Sequence, residues 1–297
     1  MAKFPLLHSA VSIMTPLLLA ATGGLFTELS GMLNIALEGM MLWGAFSSIV
    51  FTHYTGSLFL GVLLALLTTM LLAAIMGSAT LYLRSNIFIT GLATNLLASG
   101  LTVVLSYRMF GNKGVVVFKG IKELPYLKIP PLQSIPILGD LLIGHHLFVY
   151  LSWFLLLVAL FLLYHTPFGL RLRSIGDNEE VLLSLGHQPN LYRMVAFLIA
   201  GAFCAFGGAT LSLSLGAFVP NMTSGKGWIA LVVIFLGQRR PLGLLLAAFV
   251  FGLADAFSNY AQGAFNIPAE FILAIPYVFT LLVMIGLSAF NSRRRGS

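Results

Sequence analysis

The chain has 297 residues, of which 59% are hydrophobic and 8% are charged, and its mean hydropathy is +0.98. Because soluble domains carry roughly 25% charged residues, this composition excludes a soluble protein and indicates an integral membrane protein. The formal net charge of +7 is explained by arginines at the ends of apolar runs, so it gives no reason to expect nucleic-acid binding.

The apolar segments are continuous rather than alternating, which excludes a β-barrel and predicts an all-α, polytopic helical bundle embedded in lipid. We expect one transmembrane domain over residues 1–297. A span needs about 20 apolar residues, and nine segments are candidates. The first resembles a signal sequence but is too long for one, so we expect it to remain as a span. The candidates cover residues 6–27, 35–52, 57–83, 87–107, 147–164, 191–213, 227–237, 242–258 and 269–290.

The second span opens with two polar residues, Asn34 and Glu38, which share a helix face because they are four residues apart. A carboxylate in lipid costs a few kcal/mol, so Glu38 must lie beside other polar groups. Two roles remain open for Glu38. It lines or gates a translocation path, or it makes a structural hydrogen bond between helices.

Thr90, Thr94 and Asn95 form a second polar patch, within the fourth span. Threonine and asparagine often join membrane helices through hydrogen bonds worth about 1 kcal/mol or less, so helix packing is one interpretation. The other interpretation places the patch on a solute path.

A long polar loop, residues 109–146, follows the fourth span and contains four lysines and four prolines. We expect it to be partly extended and external. The adjacent residues His145 and His146 at its end could contact a metal, but no carboxylate or cysteine accompanies them. An interfacial position is therefore the preferred interpretation.

Residues 165–191 form a second polar loop, in which Asp177 and Glu180 have the spacing of a capping box. This spacing predicts a short helix over 177–188 that Gly186 and Pro189 end. Val181, Leu182 and Leu185 would share one face, which a partner protein could cover. The candidate coupling residues are Asp177, Asn178, Glu179, Glu180, Leu182, Leu185 and Gly186.

The seventh candidate span is too short to cross a membrane alone, which predicts a broken or half helix. Such helices are tolerated where they are buried in protein or line a cavity, and transporters bind or gate solutes there. Gly225 and Gly227 permit close backbone approach, while Trp228 could stack a ring or anchor the chain at the interface. The candidate substrate path comprises Asn34, Glu38, Thr90, Thr94, Asn95, Asn221, Thr223 and Trp228.

The short loops set the predicted orientation, because their arginines share one side if nine spans alternate. The positive-inside rule assigns that side to the cytoplasm, so the N-terminus is external and the C-terminus cytoplasmic. The lysine-rich loop 109–146 then lies outside, against a simple count of charges. Asp255, near the outer end of its span, is expected to snorkel to the interface. The arginines are Arg84, Arg171, Arg173, Arg193, Arg239, Arg240 and those at 293–295.

No catalytic or metal-binding constellation stands out. The chain lacks a GxxxxGK[ST] phosphate loop, so we expect it to be no enzyme and to hold no cofactor or metal of its own. Its single cysteine, Cys204, lies in an apolar run and cannot form an intrachain disulfide.

Three segments in order are similar to one family: GMLNIALEGMMLWGAF, TPFGLRLRSIGDNEEVLLSLGHQPNLYRM, and the stretch from AGAFCAFGGATLSLSLGAFVPNMTSGKGWIALVV to FGLADA. They resemble the permease subunits of bacterial ABC importers for branched-chain amino acids, simple sugars and nucleosides. LNIALEG and FVPNMT place the chain closest to the nucleoside branch. The resemblance covers nearly the whole chain.

That resemblance implies the transmembrane half of an importer in the bacterial inner membrane. Its partners would be an ATPase subunit that binds ATP and Mg, a second permease that is often a non-identical paralogue, and an external binding lipoprotein or periplasmic protein. In the family, a coupling helix written Glu-Ala-Ala, three residues, Gly docks on the ATPase. Glu180 and Gly186 keep that spacing, but Val181 and Leu182 replace the alanines.

Nucleoside import is the leading interpretation, and import of a simple sugar is the runner-up. An ion-coupled secondary transporter would need paired ionisable residues deep in the membrane, where only Glu38 is a candidate. A structural or assembly membrane protein would need neither a polar path nor a docking helix.

Overall fold

The computed structural model describes residues 5–118, 120–121, 124–126, 144–264 and 278. Within this part, ten helices and two short strands follow one another. The helices are α1 Pro5–Leu29, α2 Leu37–Thr55, α3 Leu58–Leu81, α4 Ile87–Phe110, α5 Leu147–His165, α6 Pro167–Asp177, α7 Glu179–Ser184, α8 Pro189–Leu215, α9 Lys226–Leu236 and α10 Pro241–Ala264, and the strands are β1 Val116–Val117 and β2 Ala217–Phe218.

The predicted all-α membrane bundle is confirmed. Six described helices, α1, α3, α4, α5, α8 and α10, are long and apolar enough to cross a membrane. The second predicted span corresponds to α2, which has 19 residues but is less apolar than these six. Of the predicted span at 269–290, Val278 alone lies among the described residues, so the span itself stays a prediction.

The bundle is organised around α1, α2 and α8. α2 packs against α3, α4 and α8, while α1 packs against α8, α9 and α10. The apolar stretch of α1 is 89% buried, whereas that of α4 is 22% buried, because α4 turns most of its side chains outward. Close crossing of α2 and α8 requires small residues: a Cβ on Gly44 would lie 2.7 Å from the Cα of Ala205.

The short seventh span is the half helix α9, as predicted. Its 11 residues span about 16 Å, roughly half of a hydrocarbon core. The chain reaches it from α8 through β2, which pairs antiparallel with β1, and then through a non-helical segment. Asn221, Ser224 and Gly225 in that segment have φ values of 54°, 46° and 82°.

The predicted helix at 177–188 is wrong in its bounds. Asp177 is the last residue of α6, and the extended residue Asn178 (φ −156°, ψ 109°) separates α6 from α7. The Asn178 side chain, not that of Asp177, caps α7 by accepting a hydrogen bond from the Glu180 N–H at 3.0 Å. α7 ends at Ser184, two residues before Gly186, whose φ is +74°.

The predicted docking face of α7 is also corrected. Leu182 is only 2% exposed, because it points into the bundle. Val181 and Leu185 are 50% and 68% exposed, so the apolar surface that α7 offers to a partner includes these two residues but not Leu182.

Candidate functional site

Glu38, in the first turn of α2, caps the half helix α9. Its Oε1 accepts hydrogen bonds from the Thr223 hydroxyl at 2.6 Å and from the Gly225 N–H at 2.9 Å. Its Oε2 accepts a third hydrogen bond from the Gly227 N–H at 2.7 Å. The free N–H groups at the start of a helix favour an anion, and Gly225 has no side chain that could cap them. The carboxylate of a distant helix therefore supplies the missing cap.

The glycine at position 227 is required for this contact. A Cβ there would overlap the backbone of Glu38. The first turn of α9 consequently lies directly against the first turn of α2, and the charge of Glu38 is matched by backbone dipoles rather than by a cation.

Asn95, well inside α4, braces the start of α2. Its Oδ1 accepts from the Gly39 N–H at 2.7 Å, and its Nδ2 donates to the Ile35 carbonyl at 3.0 Å. Because Asn95 lies away from either end of α4, α2 begins beside the interior of that helix. Asn34 is buried and accepts locally from the Ala36 N–H at 3.0 Å.

The other residues of the predicted path have separate surroundings. Asn221 accepts a hydrogen bond from Ser99 of α4 at 2.8 Å. Thr90 and Thr94 donate to carbonyls one turn earlier in their own helix. Trp228 is 41% exposed. The structure thus brings Glu38 and Thr223 into one cluster, with Asn95 bracing it, whereas the hydroxyls of Thr90 and Thr94 bind within their own helix.

A cavity of about 650 Å³ opens between α1, α8, α9 and α10, at the end of the bundle that contains the first turns of α1 and the last turns of α8. Of the predicted path residues, none lines it, but it reaches Lys226, the first residue of α9. Asp255, which is expected to snorkel, is half-buried and lines this cavity. The polar lining includes His8, Ser12, His146, Thr210, Ser214, Lys226, Asp255 and Asn259.

A pattern in the sequence marks the helix faces that line this cavity. Three helices each contribute two polar residues four positions apart, which places each pair on one helix face. The pairs are His8 and Ser12 on α1, Thr210 and Ser214 on α8, and Asp255 and Asn259 on α10.

The adjacent histidines at the start of α5 are buried in the protein, and their interfacial position stays a prediction. Ser12 Oγ lies 3.3 Å from Nδ1 of His145, and the His8 ring contacts the His145 ring edge at 4.0 Å between centroids. His146 lies in the cavity wall outside the spanning helices, and burial lowers the pKa of its imidazole, which is therefore neutral at neutral pH. No group of three or more potential metal ligands occurs among the residues that the structure describes.

The loop containing α6 and α7 is attached to the opposite end of the bundle through Arg193. This side chain, on α8, pairs with Glu179 at 2.9 Å and donates from Nε to the Ser30 carbonyl at 3.2 Å. Gly176 lies against the Leu29 carbonyl with no room for a Cβ. The start of α7, the end of α1 and the start of α8 therefore meet at one guanidinium.

Comparison with known proteins agrees with this architecture. Residues 6–288 match the family described as "Branched-chain amino acid transport system / permease component". The chain belongs to this family.

Three relatives of the permease are similar over most of their length. The nucleoside ABC transporter permease protein NupC of Lactococcus lactis is 32% identical over 91% of this chain and 88% of its own. The guanosine ABC transporter permease protein NupQ of Bacillus subtilis is 33% identical over the same shares. A putative glucose ABC transporter permease protein, TsgC13 of Haloferax volcanii, is 35% identical over 86% of this chain and 78% of its own.

In the permease, the half helix is also tied to the end of the bundle that contains α6 and α7. Arg239, just after α9, pairs with Glu28 near the end of α1 at 2.7 Å. Since the carbonyl of Ser30, two residues after Glu28, accepts a hydrogen bond from Arg193, a connected set of contacts runs from α7 through the end of α1 to α9 and its Glu38 cap. The candidate coupling residue Glu179 takes part in these contacts directly.

Proposed function

We propose that the chain is the transmembrane permease subunit of an ATP-driven importer of nucleosides. The observation that supports this substrate class is the similarity to NupC and NupQ, which extends over 91% of the chain. A second candidate is import of a simple sugar, favoured by the similarity to TsgC13.

The proposal includes the partners that the transport cycle needs. An ATPase subunit docks on α7 and supplies the ATP and Mg sites, so the permease itself performs no hydrolysis and binds no cofactor. A second, paralogous permease completes the pathway, and an external binding protein delivers the solute. Residues 1–297 form a single transmembrane domain, which binds all three partners.

The proposed substrate is tested with the complete importer reconstituted in liposomes. We expect ATP-dependent uptake of radiolabelled guanosine or uridine, and little uptake of glucose. Uptake of glucose without uptake of any nucleoside would overturn the nucleoside assignment and favour the sugar alternative. A vesicle population without ATP is the control for passive binding.

We further propose that the α6 and α7 end is cytoplasmic and the N-terminus external. Lys113 and Ser85 are exposed and lie beyond opposite ends of α4. In a Cys204→Ala background, Lys113→Cys should react with an impermeant maleimide in intact cells, whereas Ser85→Cys should react only after permeabilisation. The reverse pattern, or labelling of both cysteines from one side, would refute this orientation.

A further inference from the structure

We propose that the groove between the end of α9 and the start of α10 binds an anionic phospholipid. This groove has a volume of about 380 Å³. It lies at the end of the bundle that contains α6 and α7, because Arg239, in the loop beside it, pairs with Glu28 near the end of α1. The proposal concerns the surrounding membrane and does not depend on which solute is imported.

Two adjacent arginines follow α9, and a described residue neutralises only the first of them. Arg239 forms an ion pair with Glu28 at 2.7 Å. Arg240 is exposed, lines the groove, and makes no ion pair or side-chain hydrogen bond within the part of the chain that the structure describes. Because a guanidinium can bind a phosphate through two parallel hydrogen bonds, Arg240 offers a site for an anionic headgroup.

Acidic residues outside the described part cannot reach Arg240. Each lies within six residues of a described residue at the opposite end of the bundle, and six residues reach about 22 Å at most. The 24-residue helix α10, which begins next to Arg240, is by itself about 36 Å long. The other charged residues outside the described part are basic. The three acidic residues are Glu123, Asp140 and Glu270, which are nearest to Leu124, Gly144 and Ala264.

An apolar stripe leads from the groove along α10. Leu242, Leu246 and Val250 are exposed and four residues apart, so they share one face of the helix over about 12 Å. This face belongs to the apolar stretch Pro241–Gln262, which is long enough to cross a membrane. Arg240 precedes that stretch directly. A cation followed by an apolar stripe matches a phosphate with an acyl chain, whereas a soluble phosphate would need no stripe.

Two glycines keep the groove open. A Cβ on Gly243 would overlap the carbonyl of Gly237, so α9 and α10 meet here through their backbones. Both glycines line the groove, and neither places a side chain in it. A bound headgroup would therefore lie against the loop that joins the half helix to α10, next to the arginine that ties this loop to α1.

The test is native mass spectrometry of the detergent-purified complex during titration with phosphatidylglycerol. We expect the unmodified complex to retain this lipid. Arg240→Gln should weaken its binding at least tenfold, because the charge-assisted hydrogen bonds to the phosphate are lost. Leu246→Gln, which places an amide in the apolar stripe, should also weaken it. Glycerol 3-phosphate, which has the phosphate but no acyl chains, should not compete.

Arg84→Gln is the matched control. Arg84 is likewise exposed and without an ion pair among the described residues, but it lies between α3 and α4 and outside the groove. Complex yield and melting temperature without added lipid report whether a variant folds. Equal lipid binding by folded Arg240→Gln and Arg84→Gln complexes would overturn the site, and competition by glycerol 3-phosphate would overturn the assignment to a lipid. Neither outcome affects the proposed function, which is measured by uptake.

Discussion

Glu38→Ala is expected to destabilise the permease and to abolish uptake. The substitution leaves the Thr223 hydroxyl and the N–H groups of Gly225 and Gly227 without their acceptor in a buried setting. Each unpaired group costs about 1–3 kcal/mol, which is a large share of the stability of a typical domain. The measurements are complex yield, thermal stability in detergent and nucleoside uptake.

The Glu38→Gln substitution removes the charge of the side chain but keeps its shape, so it tests the role of the charge. Both carboxylate oxygens accept hydrogen bonds, but an amide has only one oxygen, so its NH₂ group would face the Gly227 N–H. We therefore expect Gln to fall between Glu and Ala in thermal stability, with uptake reduced in proportion.

A double-mutant cycle with Thr223→Val tests the capping role. If Glu38 acts as the cap, Thr223→Val and Glu38→Gln should be clearly non-additive in melting temperature. A Gln variant with unchanged stability and lost uptake would instead identify Glu38 as a path residue that needs its charge.

Arg193→Gln is expected to uncouple ATP hydrolysis from uptake. The Arg193 guanidinium binds both Glu179, the first residue of α7, and the carbonyl of Ser30 at the end of α1. Its loss therefore separates α7 from the bundle. We expect assembly with the ATPase and continued hydrolysis, while uptake per ATP falls at least tenfold. Glu179→Gln should have a smaller effect, because Glu179 is 42% exposed and solvent screens the pair.

Arg173→Gln provides the matched control for Arg193. It removes an arginine from the neighbouring helix α6, where Arg173 stacks over Tyr164 without contacting Glu179 or Ser30. Equal uptake per ATP in Arg193→Gln and Arg173→Gln complexes would show that Arg193 does not transmit the motion.

Local patterns in the sequence predict the helical bundle, the half helix and the loop that contains α7. Each of these features depends on residues close together in the chain. Long apolar runs predict the bundle, a short apolar run beside two glycines predicts the half helix, and closely spaced capping residues predict the helix in the loop. The resemblance to ABC importer permeases, drawn from three separated motifs, likewise agrees with the family match over residues 6–288.

Local sequence patterns do not predict whether Asp177 or Asn178 caps α7. Both residue types are good N-caps, so the sequence alone favours neither strongly. The packing of Gly176 against Leu29 and the burial of Leu182 set where α6 ends and how α7 is rotated.

By itself, the sequence determined that this protein is a multi-pass helical membrane protein and that Glu38 needs polar company. Only the tertiary structure decided which groups are the hydrogen-bond partners of Glu38, because the Glu38 carboxylate and the Gly225 N–H are 187 positions apart in the chain. It likewise decided that Asp255 lines a cavity between helices. Such pairings follow from how closely α2 approaches α8 and α9 at their glycines, and this depends on many side chains packing together at once.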